Sequence, residues 1–198
     1  LPRLVNGFPG GHGVSMTRIC ITPAAVTDLP DIVALADARR LAPDSASSDG
    51  FLVSDFSHAD YVNFQQQARH LLVARIDSKP AGFLLAFGSE DSGPCSTADR
   101  WLTERFESPF LTIKQVCVDQ RFTRQGVASR LYEFVLQANP QRRLFAAIVL
   151  APPNPSSVKF HERLGFGKLC EIDADDGLRR GVWSREPLAS ESVQESGQ

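Results

Sequence analysis

The residues best placed to do chemistry lie between Val116 and Leu131. Val116-Cys117-Val118-Asp119 is an apolar run of β type, and a basic turn carrying Arg121, Arg124 and Gly126 follows it. Val127, Ala128, Leu131, Phe134, Val135 and Ala138 then recur at spacings of three and four, which predicts a helix. Strand, glycine turn and helix in that order aim unpaired backbone N–H groups and the positive end of a helix dipole at one point. That arrangement is a phosphate cradle, with Arg124 and Arg130 adding mobile positive charge. No G-x-G-x-x-G occurs here and no Gly-Lys-Ser/Thr follows the glycine, so the segment is neither a dinucleotide fingerprint nor a P-loop. An ordinary strand-to-helix turn would use the same glycine.

A second segment, Asn154 to Phe166, is a short helix with a punctuation residue at each end. Asn154 suits the N-cap and Pro155 the first helical position. Gly165 suits the left-handed residue after the end, with Phe166 as the apolar contact behind it. Val158, His161 and Leu164 share a face, which turns His161 toward the apolar side.

In this order the two segments resemble the motifs of the GCN5-related N-acetyltransferases. Thr123-Arg124-Gln125-Gly126-Val127-Ala128 is similar to the family's acetyl-CoA pyrophosphate loop, Arg/Gln-x-x-Gly-x-Gly/Ala, and departs from it at Thr123. Asn154, Ser157, Phe160, Gly165 and Phe166 match the family's last helix motif, and His161 stands where many members carry tyrosine. One strand, residues 144–150, fits between the two motifs. The segments Trp101–Phe106 and Pro152–Ser156 are similar to those of a bacterial subgroup of predicted acetyltransferases.

The resemblance implies a fold over residues 17–188: a mixed, mostly antiparallel α/β sheet of about seven strands flanked by about four helices. It also implies that strand 112–118 splays from strand 144–150 and that the pantetheine arm of acetyl-CoA enters the wedge. Backbone groups of Val116, Cys117 and Val118 would then meet the pantetheine amides. The amides of Arg124, Gln125, Gly126, Val127, Ala128 and Ser129 would hold the pyrophosphate, beside the charge of Arg130. Asn154, Ser157 and Phe160 complete the expected cofactor-binding set, Asn154 either as a helix cap or as a pantetheine contact. The reaction implied is direct acetyl transfer to a primary amine of a small molecule, amino acid or protein. His161 is the catalytic candidate, as proton donor to the leaving thiolate; a core histidine bonded to a backbone carbonyl is the competing role. Lys114 and Gln115 are not natural bases, so the base stays unassigned. Asp44, Asp49, Asp55, His58, Asp60, Trp101, Glu104 and Glu107 lie where the family builds its acceptor pocket; acids near aromatics there would suit a cationic amine, and equally a solvated loop, which is the preferred reading. Two other classes of protein stay open: a non-catalytic acyl-CoA sensor, and an interaction protein without the cosubstrate. A homodimer is a further expectation from the family.

The composition fits this frame. The chain has 198 residues, enough for one domain with a sizeable core, with 42% hydrophobic and 22% charged residues. A net charge of -2 gives no electrostatic pull toward nucleic acid or an anionic membrane. The Arg pairs at 39–40, 142–143 and 179–180 read as solvated faces. The four cysteines form no CxxC and share no ligand spacing with the four histidines, so neither a metal site nor a disulfide framework is expected. Cys20, Cys117 and Cys170 read as small core residues. The cysteines and the lack of a signal-peptide core or transmembrane run point to a cytoplasmic protein.

Residues 1–15, rich in Gly and Pro, read as a disordered extension or tag before Met16, residues 16–189 as the domain, and 190–198 as a tail. Strands are expected at 18–22, 71–77, 80–87, 110–118, 144–150, 167–173 and 179–187. Helices are expected at 24–41, 58–69, 125–138 and 155–164, with a helical turn at 101–106 and a polar loop at 42–57. Pro30 belongs in the first turn of its helix or breaks it.

Overall fold

The apolar runs pair into one seven-stranded sheet in the computed structural model, which describes residues 18–41 and 50–188. The strands are β1 (Ile19–Pro23), β2 (His70–Ile76), β3 (Lys79–Gly88), β4 (Leu111–Val118), β5 (Leu144–Val149), β6 (Gly167–Asp173) and β7 (Arg179–Arg185). Their order across the sheet is β1-β2-β3-β4-β5-β7-β6, and β4–β5 is the parallel pair among antiparallel ones. The readings placed on residues 1–15, Met16, the tail, Asp44 and Asp49 lie outside the described residues.

Among the described residues five α-helices cover the sheet: α1 (Leu29–Ala38), α2 (His58–Gln67), α3 (Thr97–Thr103), α4 (Val127–Ala138) and α5 (Pro155–Arg163). Helices α4 and α5 pack on one face, where Leu131, Tyr132 and Val135 meet Leu84, Ile113 and Ala146. Helices α1 and α2 cover the other face around Ile32, Tyr61 and Phe83. Helix α3 covers the β5–β7 side of that face through Leu102, Phe145 and Val182.

Some expectations need correction. The first helix starts at Leu29 rather than residue 24, because the Asp28 carboxylate accepts the Ala25 N–H at 2.8 Å and holds residues 26–28 in a tighter 3₁₀ turn. Pro30 therefore sits inside the first turn of α1, where its missing N–H costs nothing. The helical turn expected at 101–106 belongs to a helix that starts at Thr97. Its signal was a capping box, in which Ser96 and Asp99 satisfy each other's backbone N–H groups. Cys20 is exposed rather than buried, since Ile19 and Ile21 turn to the core under α4 and Cys20 between them turns to the other face of the edge strand β1. On α4 the buried stripe runs through Tyr132 and Leu136, while Phe134 is half-buried and Ala138 exposed.

Candidate active site

A bulge opens the sheet. The β3–β4 register passes from Leu85–Gln115 to Ala86–Ile113, so Lys114 is an extra residue on β4 and bends the strand there. Strand β5 pairs with β4 at Leu111–Leu144, Thr112–Phe145 and Ile113–Ala146 and no farther. Past that point the two strands separate, as the resemblance implied. The Asp119 N–H donates to the Ala81 carbonyl at 2.9 Å. Alternate residues of an antiparallel strand turn both backbone groups to the same neighbour. Cys117 therefore faces β3, while Val116 and Val118 turn their N–H and C=O groups into the gap that β5 has left. The Cys117 backbone is thus spent on the sheet, and its thiol donates to the Leu35 carbonyl at 3.2 Å. Burial pushes that thiol up to about 12, so it is not a nucleophile.

The gap is a two-chambered cleft. Its outer chamber, about 160 Å³, is lined by Val116, Val118, Thr123, Ala128, Asn154 and Phe160 among others. The inner chamber, about 90 Å³, ends on Gln115, Tyr132, Ala146 and His161. Residues 50–54 lie along both. Their strap is tied to the end of α1, because the Leu52 N–H donates to the Arg39 carbonyl at 2.8 Å and the Leu52 carbonyl accepts the Leu41 N–H at 2.9 Å.

The outer chamber opens toward the glycine turn. Arg124 (φ 60°) and Gly126 (φ 83°) are both left-handed, and Gly126 forms the N-cap of α4. A Cβ added to Gly126 would meet nothing within 4 Å, so the glycine serves the backbone angle and leaves the approach to the helix end clear. The first helical bond of α4 runs from the Arg130 N–H to the Gly126 carbonyl at 3.0 Å. The N–H groups of Val127, Ala128 and Ser129 therefore have no partner within the helix. Gln125 donates its side-chain amide to the Arg121 carbonyl at 3.2 Å, and Arg130 pairs with Glu133 at 3.0 Å. Asn154 is buried and caps α5, its side chain accepting the Ser157 N–H at 3.4 Å and donating to the Phe51 carbonyl at 3.4 Å. At the far end of α5 the Phe166 N–H reaches the His161 carbonyl at 3.1 Å and the Gly165 N–H the Glu162 carbonyl at 3.0 Å, the Schellman closure that Gly165 (φ 83°) permits.

The inner chamber is built from side chains that already hold each other. His161 is 3% exposed. Its Nδ1 lies 2.8 Å from the Ser157 carbonyl, which only accepts, so Nδ1 carries the proton. Its Nε2, 2.7 Å from the Tyr132 hydroxyl, then accepts the phenol proton. Burial lowers the His161 pKa below 6.5 and raises that of Tyr132, so both groups are neutral near pH 7. Opposite them, the Tyr61 hydroxyl donates to Gln115 Oε1 at 2.6 Å, and Gln115 Nε2 donates to Ser54 Oγ at 3.1 Å. Lys114 is tied to Asp99 of α3.

The acids expected at an acceptor pocket are scattered. Asp55 pairs with Arg40 at 2.6 Å, Glu104 pairs with Arg105 at 2.8 Å, and Asp60 caps α2. Of Asp55, His58, Asp60, Trp101, Glu104 and Glu107, none lines either chamber. Among the described residues, no three His, Cys, Asp or Glu side chains are grouped to hold a metal ion, and no helix is long and apolar enough to cross a membrane. Arg39, Leu52 and Tyr132 line the cleft without having been named as site residues, and Gln115, set aside as a base, lines it too. Tyr132 carried a readable sign, a polar-tipped ring next to the apolar stripe of α4; the others reach the site through long-range pairing.

The Acetyltransferase (GNAT) family model matches residues 36–166, more than half of the chain. Comparison with curated protein sequences finds no match. Ard1 from Thermoplasma volcanium superposes with a TM-score of 0.65 at 15% identity, over 86% of this chain and 99% of that one. The ribosomal-protein-S18-alanine N-acetyltransferase from Escherichia coli gives 0.60 at 16% identity, over 89% and 99%. A chain of the NatC complex bound to Gag peptide and CoA gives 0.61 at 16% identity, over 86% and 99%. At these identities the likeness is one of fold, and the matched family model supplies the membership. With both motifs, the split sheet and the family match in agreement, the chain belongs to the GNAT acetyltransferase family.

Proposed function

We propose that this chain is an acetyl-CoA-dependent N-acetyltransferase that moves the acetyl group directly onto a primary amine of a small molecule, amino acid or protein. The observation that carries this reading is the end of β4–β5 pairing at Ile113–Ala146, which leaves the backbone groups of Val116 and Val118 facing an open cleft. An extended ligand with amides of its own fits such an edge as an added strand would. The unpartnered amides at the start of α4 suit its phosphates. Acetyl-CoA supplies the activated thioester.

The residues then divide the work. The Val116 backbone and the Val118 N–H orient the arm by hydrogen bonds, the Val118 carbonyl being held by Arg39 at 3.1 Å. Arg124, Gln125 and Gly126 shape the turn, and Val127, Ala128 and Ser129 offer N–H groups to the pyrophosphate. Asn154, Ser157 and Phe160 form the opposite wall. At the inner end, negative charge develops on the carbonyl oxygen and the leaving sulfur. His161 and Tyr132 are the polar groups there. His161 stays our catalytic candidate, but its Nδ1–H is held by the Ser157 carbonyl and its Nε2 accepts from the Tyr132 hydroxyl, so either group gives a proton to the leaving thiolate only by breaking that arrangement. The Gln115 amide is engaged by Tyr61 and Ser54 and cannot act as a base, so the amine proton leaves through water.

The second reading is a cosubstrate-binding sensor without turnover. The saturation of both His161 nitrogens favours it. The test is a thermal-shift titration with acetyl-CoA, followed by thiol release over an amine panel. A raised melting temperature establishes binding. Amine-dependent thiol release supports the enzyme, and binding without release supports the sensor. No shift at millimolar acetyl-CoA overturns both.

A further inference from the structure

The arginine pair at 39–40 divides its labour. Arg40 faces out and holds Asp37 and Asp55, each at 2.6 Å. Arg39, at the C-terminal end of α1, turns in and lines the outer chamber beside Val118 and Thr123. Its Nε donates to the Val118 carbonyl at 3.1 Å, one of the groups turned into the gap. A carbonyl carries no charge, so this bond anchors the guanidinium without neutralising it. Of the other cations near the turn, Arg124 is exposed and has no ion pair among the described residues, and the remaining two are matched with carboxylates. Arg121 grips Asp119 with contacts of 2.7 and 3.0 Å, and Arg130 holds Glu133 at 3.0 Å. Arg39 has no carboxylate within ion-pair distance among the described residues; the Asp119 carboxylate feels its charge from farther off and is itself gripped by Arg121. With Nε committed, its two terminal amino groups have no hydrogen-bond partner among the described residues and form a fork, the geometry that suits phosphate oxygens.

We propose that Arg39 is a phosphate-binding residue of this cleft, contributed by α1 from across the gap. It supplies the guanidinium that the glycine turn lacks at Thr123. This rests on the reading that the cleft binds acetyl-CoA, and it names a contact outside both sequence motifs. Anchoring on Val118 also places the charge where the arm must pass, so less side-chain freedom is lost when a pyrophosphate arrives.

The test compares wild type with Arg39→Gln, which can keep a donor for Val118 but carries no charge, and Arg39→Lys, which keeps the charge. Calorimetry with CoA is expected to show affinity reduced by about ten- to a hundredfold in Arg39→Gln, the scale of one lost charge-assisted bond, and by less in Arg39→Lys. Acetyl-pantetheine, which has no phosphate, should bind wild type and Arg39→Gln equally. Inorganic pyrophosphate should compete with CoA less well on Arg39→Gln than on wild type. Where amine acetylation is measurable, KM for acetyl-CoA rises and kcat holds. Equal CoA affinity in wild type and Arg39→Gln overturns the assignment while leaving the cosubstrate reading intact. An equal loss with acetyl-pantetheine also overturns it, because the residue then acts through the strap. A wild type that binds no CoA overturns this and the acetyltransferase reading together.

Discussion

The two ends of the cleft are made of different material. At the outer end the groups facing the gap are backbone: the amides of Val127, Ala128 and Ser129 and the turned edges of Val116 and Val118. They are unpaired within their own elements, and the surrounding side chains of Arg124 and Gln125 are exposed. At the inner end the groups are side chains, and each is already bonded: Tyr132 to His161, His161 to the Ser157 carbonyl, Tyr61 to Gln115, Gln115 to Ser54. An outer end with unspent donors is suited to holding a charged ligand. An inner end with spent donors is suited to holding its own shape, and lends a proton only by rearranging. The two ends should therefore respond to mutation in opposite ways, one in binding and the other in stability and turnover.

Gly126→Asp should break the outer end most severely. It sets a carboxylate where phosphate would sit and keeps a residue type that tolerates the left-handed conformation. Acetyl-CoA affinity is expected to fall by more than about a hundredfold, the loss of the cradle's favourable field plus a repulsion, with the melting temperature nearly unchanged. Gly126→Ala sharpens the point. Open space around the Cβ leaves only the φ of 83° to resist it, a stability cost of about 1 kcal/mol, and binding should survive. A thermal-shift titration reads both variants. Equal retention of acetyl-CoA binding by the Asp variant would remove phosphate from the outer end.

Tyr132→Phe should act on the inner end instead. It leaves His161 Nε2 buried without a donor, which costs about 1–3 kcal/mol. Chemical denaturation checks that figure. CoA affinity is expected to hold and kcat to fall. A turnover unchanged from wild type would reduce Tyr132 and His161 to a structural clasp between α4 and α5.

These contrasts also explain what the sequence made legible. The outer end is local: a strand, a turn and a helix start lie within sixteen consecutive residues, so Gly126 and its neighbours declare themselves. The capped helix at Asn154–Gly165 is local in the same way, and both ends formed as its residues require. The alternating apolar runs placed all seven strands to within a few residues. The inner end is not local. Tyr61 and Gln115 are separated by 54 positions, and Arg39 and Val118 by 79, and meet only because α1, α2 and β4 pack together. Nothing in the neighbourhood of Arg39 distinguishes it from Arg40, and only the packed α1 sends one inward and the other out. Helix α1 is shorter than its apolar pattern implies because Asp28, three residues after Ala25, can close a 3₁₀ turn as readily as an α-helical one.

Asn154→Ala should have a smaller effect, at the joint between the two ends. It removes the cap of α5 and the link to the strap at Phe51, and both bonds are long at 3.4 Å. A loss of about 1 kcal/mol is expected from the cap alone. KM for acetyl-CoA should rise slightly, because Asn154 lines both chambers. If stability falls as expected while KM is untouched, Asn154 is a cap and nothing more.

The gentlest perturbation is pH, which titrates the inner bond rather than deleting it. Burial holds the folded pKa of His161 below the 6.5 of a free imidazole, and burial does the same to His70 at the start of β2. Below pH 6.5 the unfolded chain takes up protons that the folded chain refuses, so stability is complete above that pH and is lost as pH falls through the folded values. The carboxylates act in a lower window: Glu90, bonded to Arg142, is held down to about 2, and its contribution fades only below the 4.5 of an ordinary glutamate. Melting temperatures taken from pH 8 to pH 5 should thus decline in the upper part of the acid range, and His161→Gln should flatten that decline. Turnover discriminates further. If an imidazolium at His161 were the acid, kcat would rise as pH drops below 6.5. If the neutral Tyr132–His161 pair does the work, kcat stays level from pH 6.5 to 8 and falls with stability below it. The tautomer fixed by Ser157 leaves Nε2 without a proton of its own, so the level profile is the expected one.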